Sequence, residues 1–269
     1  QAKTLFPYTT LFRSGRMPVD LPVDALPAHV QRVVHGLRQS GRLPLAGVGR
    51  LEAAQLSHSL QAVMQAALRE RAACSGEAVR VLIDVAHPHV RLQDAMPGLL
   101  QGPDGPVLLS VHAANMARVK DSGEAQALPE KLIDVWLASL AAAAMGQALH
   151  CVVVGRNAVV RVPPQDPVQA REQLQVLLDT WTEGMRWPLP LPPALALKWL
   201  EKKDNTNALV DLYEGSSHQR AEVAKDLALA RTYPTLDALL ATGAFERLAE
   251  AVHAPLRDWA ARAQAEALP

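Results

Sequence analysis

Asp84, in the context Val81-Leu82-Ile83-Asp84, is the residue best placed to open a metal-dependent hydrolytic centre. Such a centre needs an acid on one strand, then an acid and a lysine alternating on the next. The two carboxylates hold a hard divalent cation and the lysine positions the attacking water. The next β-rich run, Pro106 to Ala113, offers Ser110 and His112 where the acid and the lysine belong. Just beyond it, Arg118-Val119-Lys120 supplies a lysine but puts a cation at the second ligand position. The literal match Glu201-Lys202-Lys203 falls at a helix end far downstream and is a chance hit. Asp84 therefore reads as a strand-end or turn residue, at most the vestige of a metal ligand.

Other constellations lead to the same place. His87 and His89 stand beside Asp84 and Asp94, but on an extended strand the two histidines share a face and Asp84 takes the other. Turn and edge-strand positions explain them without a metal. Ala46 to Arg50 (AGVGR) is the one glycine-rich candidate for a phosphate loop. It lacks the Lys-Ser/Thr that would hold phosphate and magnesium, and no strand precedes it, so it reads as a helix entry turn. Glu130 and Asp134 lie one helical turn apart around Lys131, the pattern of a solvated helix face. Two basic groups remain. Arg118 and Lys120 are candidates for phosphate contact, as are Lys198, Lys202 and Lys203 at a helix end. Solvated loop charge and C-terminal helix charge account for the same residues.

The bulk numbers narrow the classes. The 269 residues carry 27 basic and 27 acidic side chains, so a surface that grips DNA alone, with a basic excess, is not expected. The mean hydropathy of +0.02 and the lack of a long apolar run argue against a membrane span. Cys74 and Cys151 are too few and too distant for a disulfide framework or a zinc site, and fit a reducing cytoplasm. Thr4 to Ser14 (TLFPYTTLFRS) resembles the translation of a sequencing-library adapter, so residues 1–14 are expected to be artefactual. On that reading Gly15 begins mid-protein, and residues 15–45, Pro-rich at first, link to a missing upstream domain.

The elements that must position these residues follow from periodicity. A short helix, roughly His29 to Arg38, precedes a Gly/Pro-punctuated turn. Leu51, Leu56, Leu60, Val63, Met64 and Leu68 recur at helical spacing, predicting a long amphipathic helix over 50–73. Ala78 to Ala86 alternates and is β-rich, HVRLQDAM is a weaker second strand, and Pro106 to Ala113 a third. Leu128 to Met145 is a second helix, CVVVG and AVVRV a hairpin, and Pro167 to Gly184 a third long helix. Trp187 to Pro193 (WPLPLPP) cannot be helical. It is an extended strap that lies against a partner or covers the chain's own core. Helices are expected over 194–202, 205–213, 220–231, 236–241 and 244–265.

Helix, three strands, helix, strand is the core order of PD-(D/E)xK nucleases. The expected fold is therefore α/β: a degenerate nuclease-like core over 46–193, with a mixed sheet flanked by helices, then an α-helical segment over 194–269. Several stretches resemble the C-terminal domain of RecC-type proteins, the gamma subunits of exonuclease V. They are VLLSVHAANMARVK with the helix IDVWLASLAAAAMG, the run LLDTWTEGMRWPLPLPP, and the tail from KWLEKKDNTNALVDLYEG through LALARTYPTLDALLATGAFERLAEAVHAPL. The most specific elements are Gly184-Met185-x-x-Pro188-Leu189-Pro190, Tyr213, Tyr233-Pro234, and Phe245-x-x-Leu248 before Pro255. The resemblance implies RecB-type and RecD-type partners, double-stranded DNA ends and single strands as substrates, and ATP and magnesium held by the other subunits. It implies no catalytic residue and no cofactor in this chain. An active PD-(D/E)xK nuclease, with Asp84 joined by a carboxylate such as Glu52, is the alternative. A free-standing helical interaction module, the third reading, would have no central sheet.

Overall fold

Leu26, Val30 and Val34 recur every fourth residue and form the buried stripe of helix α1 (Leu26–Gln39). A computed structural model describes residues 21–269 except Lys203, Asp204 and His218, so the adapter-like segment and the start of the Pro-rich stretch lie outside the described residues. A short connection turns the chain back into α2 (Ala46–Ala72). Leu43, Ala53, Leu56, Leu60, Met64 and Leu68 complete the core of this helical hairpin. The AGVGR stretch opens α2. A Cβ on Gly49 would meet the Pro44 carbonyl oxygen at 1.7 Å, so glycine is what lets the turn close there.

The next strands are β1 (Ser75–Ala86), β2 (Arg91–Gly102) and β3 (Gly105–Val111). Then come a two-stranded hairpin of β4 (Ala117–Val119) and β5 (Ala125–Ala127), helix α3 (Ile133–Ala144), β6 (His150–Val154), β7 (Ala158–Val162) and helix α4 (Pro167–Gly184). The tail contains α5 (Pro193–Glu201), α6 (Thr206–Tyr213), α7 (Leu227–Thr232), α8 (Leu236–Leu240), α9 (Ala244–Leu248), α10 (Ala254–Ala260) and β8 (Gln264–Ala267). The main sheet runs β1-β2-β3-β6-β7-β8, with β3 and β6 parallel and its other pairs antiparallel. This is a mixed sheet between helices, as the element order predicts, and it excludes the helical-module reading.

Side-chain alternation assigns the two faces. Leu109, Val111, Val152, Val154 and Val159 meet Val63, Ala66 and Ala67 of α2 on one face. On the other, Val81, Ile83, Leu108, Cys151, Val153, Val160 and Val162 pack with Val135, Trp136 and Leu140 of α3, Leu174 of α4 and Trp259 of α10. Truncating the fully enclosed Trp136 to alanine would cost about 3–5 kcal/mol. The tail helices have their own core of Leu195, Leu209, Tyr213, Leu236, Leu239 and Phe245.

Three differences from the sequence reading have physical causes. The second strand is longer than HVRLQDAM because it runs through Pro97 and Gly98. The pairing shifts from Val79↔Leu99 to Val81↔Met96, and this bulge takes in the proline, which cannot donate, and a glycine at φ +72°. The polar loop after β3 contains the β4–β5 hairpin. The last helix stops at Ala260 instead of running to 265, and the chain returns as edge strand β8. There Arg161 of β7 forms ion pairs with both Glu266 of β8 and Glu70 of α2, and Arg69 also contacts Glu266.

The strap is seated on the chain's own core. Pro190 and Pro192 are buried and Leu191 joins the tail cluster. The Tyr213 hydroxyl donates to the Tyr233 carbonyl at 2.6 Å, and the Tyr233 hydroxyl to the Pro188 carbonyl at 2.7 Å. The tyrosines that mark the family resemblance thus fasten the strap.

Candidate functional site

Asp84 lies on β1 with its carboxylate held by Arg91, at 2.8 Å and 2.7 Å to the two oxygens, in bidentate geometry. These hydrogen bonds hold the carboxyl below the usual aspartate range. On the same strand, Val81, Ile83 and Val85 turn into the core beneath α3, so Asp84 turns away from it. Ser110 on β3 and His112 one residue past its end follow Leu108 at alternate positions, and Leu108 packs into that same core. Asp84 and the Ser110/His112 pair therefore occupy opposite faces of the sheet. The Ser110 hydroxyl and His112 Nε2 lie 2.7 Å apart. Burial lowers the His112 pKa, partly offset by the charge of Asp134 in the first turn of α3. A serine and a histidine bonded to each other thus fill the positions an acid and a lysine would need.

The histidine cluster resolves similarly. His87 to Val90 form the turn between β1 and β2. His87 Nδ1 lies 3.3 Å from the His89 amide, which donates to it, and Nε2 lies 2.9 Å from an Asp179 oxygen. Both ring nitrogens are engaged. Asp94, paired with Ile83 and so on the core side of the ribbon, accepts from the Ala95 amide. Among the described residues no group of three or more His, Cys, Asp or Glu could hold a metal ion.

The basic candidates are partly brought together. Arg118 on β4 and Lys198 on α5 line one cavity of about 420 Å³ with Glu130, Glu201 and Asp211. Two cations against three acids do not make an anion track. Lys198 is 3.8 Å from Glu201, and Lys120 is paired with Glu124 at 2.8 Å, bracing the β4–β5 turn. Lys202 follows the last residue of α5, while Lys203 lies outside the described residues. Both cysteines are free, and burial pushes the Cys151 thiol up to about 12, which leaves it an inert core residue.

The strap reading covered Trp187 but not Trp181 and Met185, which join it in an exposed apolar surface at the end of α4. Trp181 and Trp187 are 53% and 70% exposed, and Met185 stands one turn from Trp181. Large aromatics and methionine left in solvent mark protein contact surfaces. The helical period of α4 gives no signal for it, since Trp181 follows Ala170 and Leu174 at i+11 and i+7 and so falls on their stripe, yet it is exposed where the helix end runs past the core.

Residues 17–204 match the family model of the RecC C-terminal domain, more than half of the chain. The chain belongs to that family. RecC C-terminal domains are regions of the gamma subunit of RecBCD-type exonuclease V, and the nuclease-like element order described above is consistent with that membership. No match to the chain was found among curated proteins. No helix among the described residues is long and apolar enough to cross a membrane.

Proposed function

We propose that this chain is a non-catalytic part of an exonuclease V gamma subunit. It scaffolds RecB-type and RecD-type subunits and guides DNA strands while double-strand breaks are processed for recombinational repair. The observation that carries this reading is the opposition of Asp84 to Ser110 and His112 across the sheet, with Arg91 clamped on Asp84. A two-carboxylate cation site cannot assemble from residues that diverge. On this reading ATP and magnesium act in the other subunits and this chain needs no cofactor. Trp181, Met185 and Trp187 support a role in holding a partner subunit. Strand contact through Arg118, Lys120, Lys198, Lys202 and Lys203 is local and shared with partners, because acids flank Arg118, Lys120 and Lys198.

The test is cleavage of linear double-stranded DNA by the purified chain with magnesium. The expected result is no cleavage above buffer, unchanged by Asp84→Ala. Cleavage that Asp84→Ala abolishes would overturn the proposal in favour of an active PD-(D/E)xK nuclease.

A further inference from the structure

The described surface also holds a basic groove that has no acidic side chain in its lining. It runs between α1 and α2, encloses about 600 Å³, and is lined by Arg32, His35 and Arg38 on one rim. Its floor is Ala28, Val34, Ala53 and Ala54, with Gln31 and Ser57 as polar groups. Residues 21–72 carry six arginines against the acids Asp24, Glu52 and Glu70, none of which lines the groove. Arg32 and Arg38 make no ion pair among the described residues.

We infer that this groove seats an acidic amphipathic helix of a partner protein. Three observations favour a polypeptide. The floor is of small apolar side chains, which let a third helix approach to the 8–10 Å of ordinary helix packing. Leu51 lies one turn before Ala54 on α2 and is 61% exposed, so a further apolar side chain stands beside the groove. Arg32, His35 and Arg38 recur every third residue along one rim. That matches an incoming helix with apolar residues at i, i+3, i+4 and i+7 and carboxylates on its flank. A nucleic-acid strand would leave the apolar floor and the exposed Leu51 unused. The chain as a whole also lacks the basic excess of a phosphate-gripping surface. This inference is independent of the nuclease question, since it concerns a helical hairpin with its own core.

The experiment is fluorescence anisotropy on the full chain with three labelled probes. They are an 18-residue helical peptide with Leu/Ala at i, i+3, i+4, i+7 and glutamates on its flanks, the same peptide with lysines for glutamates, and a 20-nucleotide single strand. The glutamate peptide is expected to bind, and the lysine peptide at least tenfold more weakly. Arg32→Ala with Arg38→Ala should weaken the glutamate peptide about tenfold or more. Ala54→Trp fills the floor without changing charge, and should abolish binding while circular dichroism stays unchanged. Equal binding of both peptides, failure of the glutamate peptide to bind, or an oligonucleotide lost on the same arginine substitutions would each overturn the inference; the last would make this a phosphate site.

Discussion

His253 is a titratable ring sealed in the tail with its Nδ1 unpartnered. Burial pushes its pKa down to about 4, against 6.5 when exposed. Between those values the unfolded chain takes up a proton that the folded chain refuses. Stability is therefore complete above about pH 6.5 and falls as pH drops toward 4, by up to about 3 kcal/mol. Urea unfolding midpoints measured from pH 7.5 to 4.5 should show this decline, and His253→Leu should flatten it. An identical decline in the variant would show that other groups carry it. The residue scale also explains why the metal question was only half legible in sequence. The missing acid-x-lysine pair can be read directly from Ser110 and His112. The Arg91 clamp on Asp84 cannot, because it depends on the hairpin register that sets Arg91 opposite Ala86.

At the scale of elements, periodicity carried the long helices and the β6–β7 hairpin, because a helix or strand buried on one face must repeat its apolar residues. It failed where tertiary contact decides. Alanine-rich residues 261–265 read as the end of a helix, yet the helix stops at Ala260 and Gln264–Ala267 form an edge strand that Arg161 fastens through Glu70 and Glu266. The three-residue strands β4 and β5 are too short to show a period, and Pro97 with Gly98 masked the length of β2. Arg161→Met should therefore release β8 first, leaving the mostly buried Glu70 carboxylate without this partner at a cost of about 1–3 kcal/mol. Hydrogen exchange at residues 264–268 should speed up while α3 and β6 keep their protection. Uniform loss of protection would contradict this local role.

At the scale of the molecule, the shared cavity of Arg118 and Lys198 and the groove between α1 and α2 join residues from separate elements, so neither could be seen in the sequence. The exposed tryptophans at the end of α4 also gain meaning only once the strap is found seated on the tail core. If they anchor a partner subunit, Trp181→Ala with Trp187→Ala should leave the thermal midpoint within about 2–4 °C, as expected for exposed positions. The same pair should weaken partner binding tenfold or more, in line with aromatic hot spots. Isothermal titration of the chain with a RecB-type subunit would read that loss; equal affinity of variant and parent would remove these residues from the interface. The central claim is tested most directly by size-exclusion chromatography of the chain mixed with RecB-type and RecD-type subunits. The account predicts that the chain co-elutes with them in one stoichiometric peak; elution apart from both subunits would contradict it.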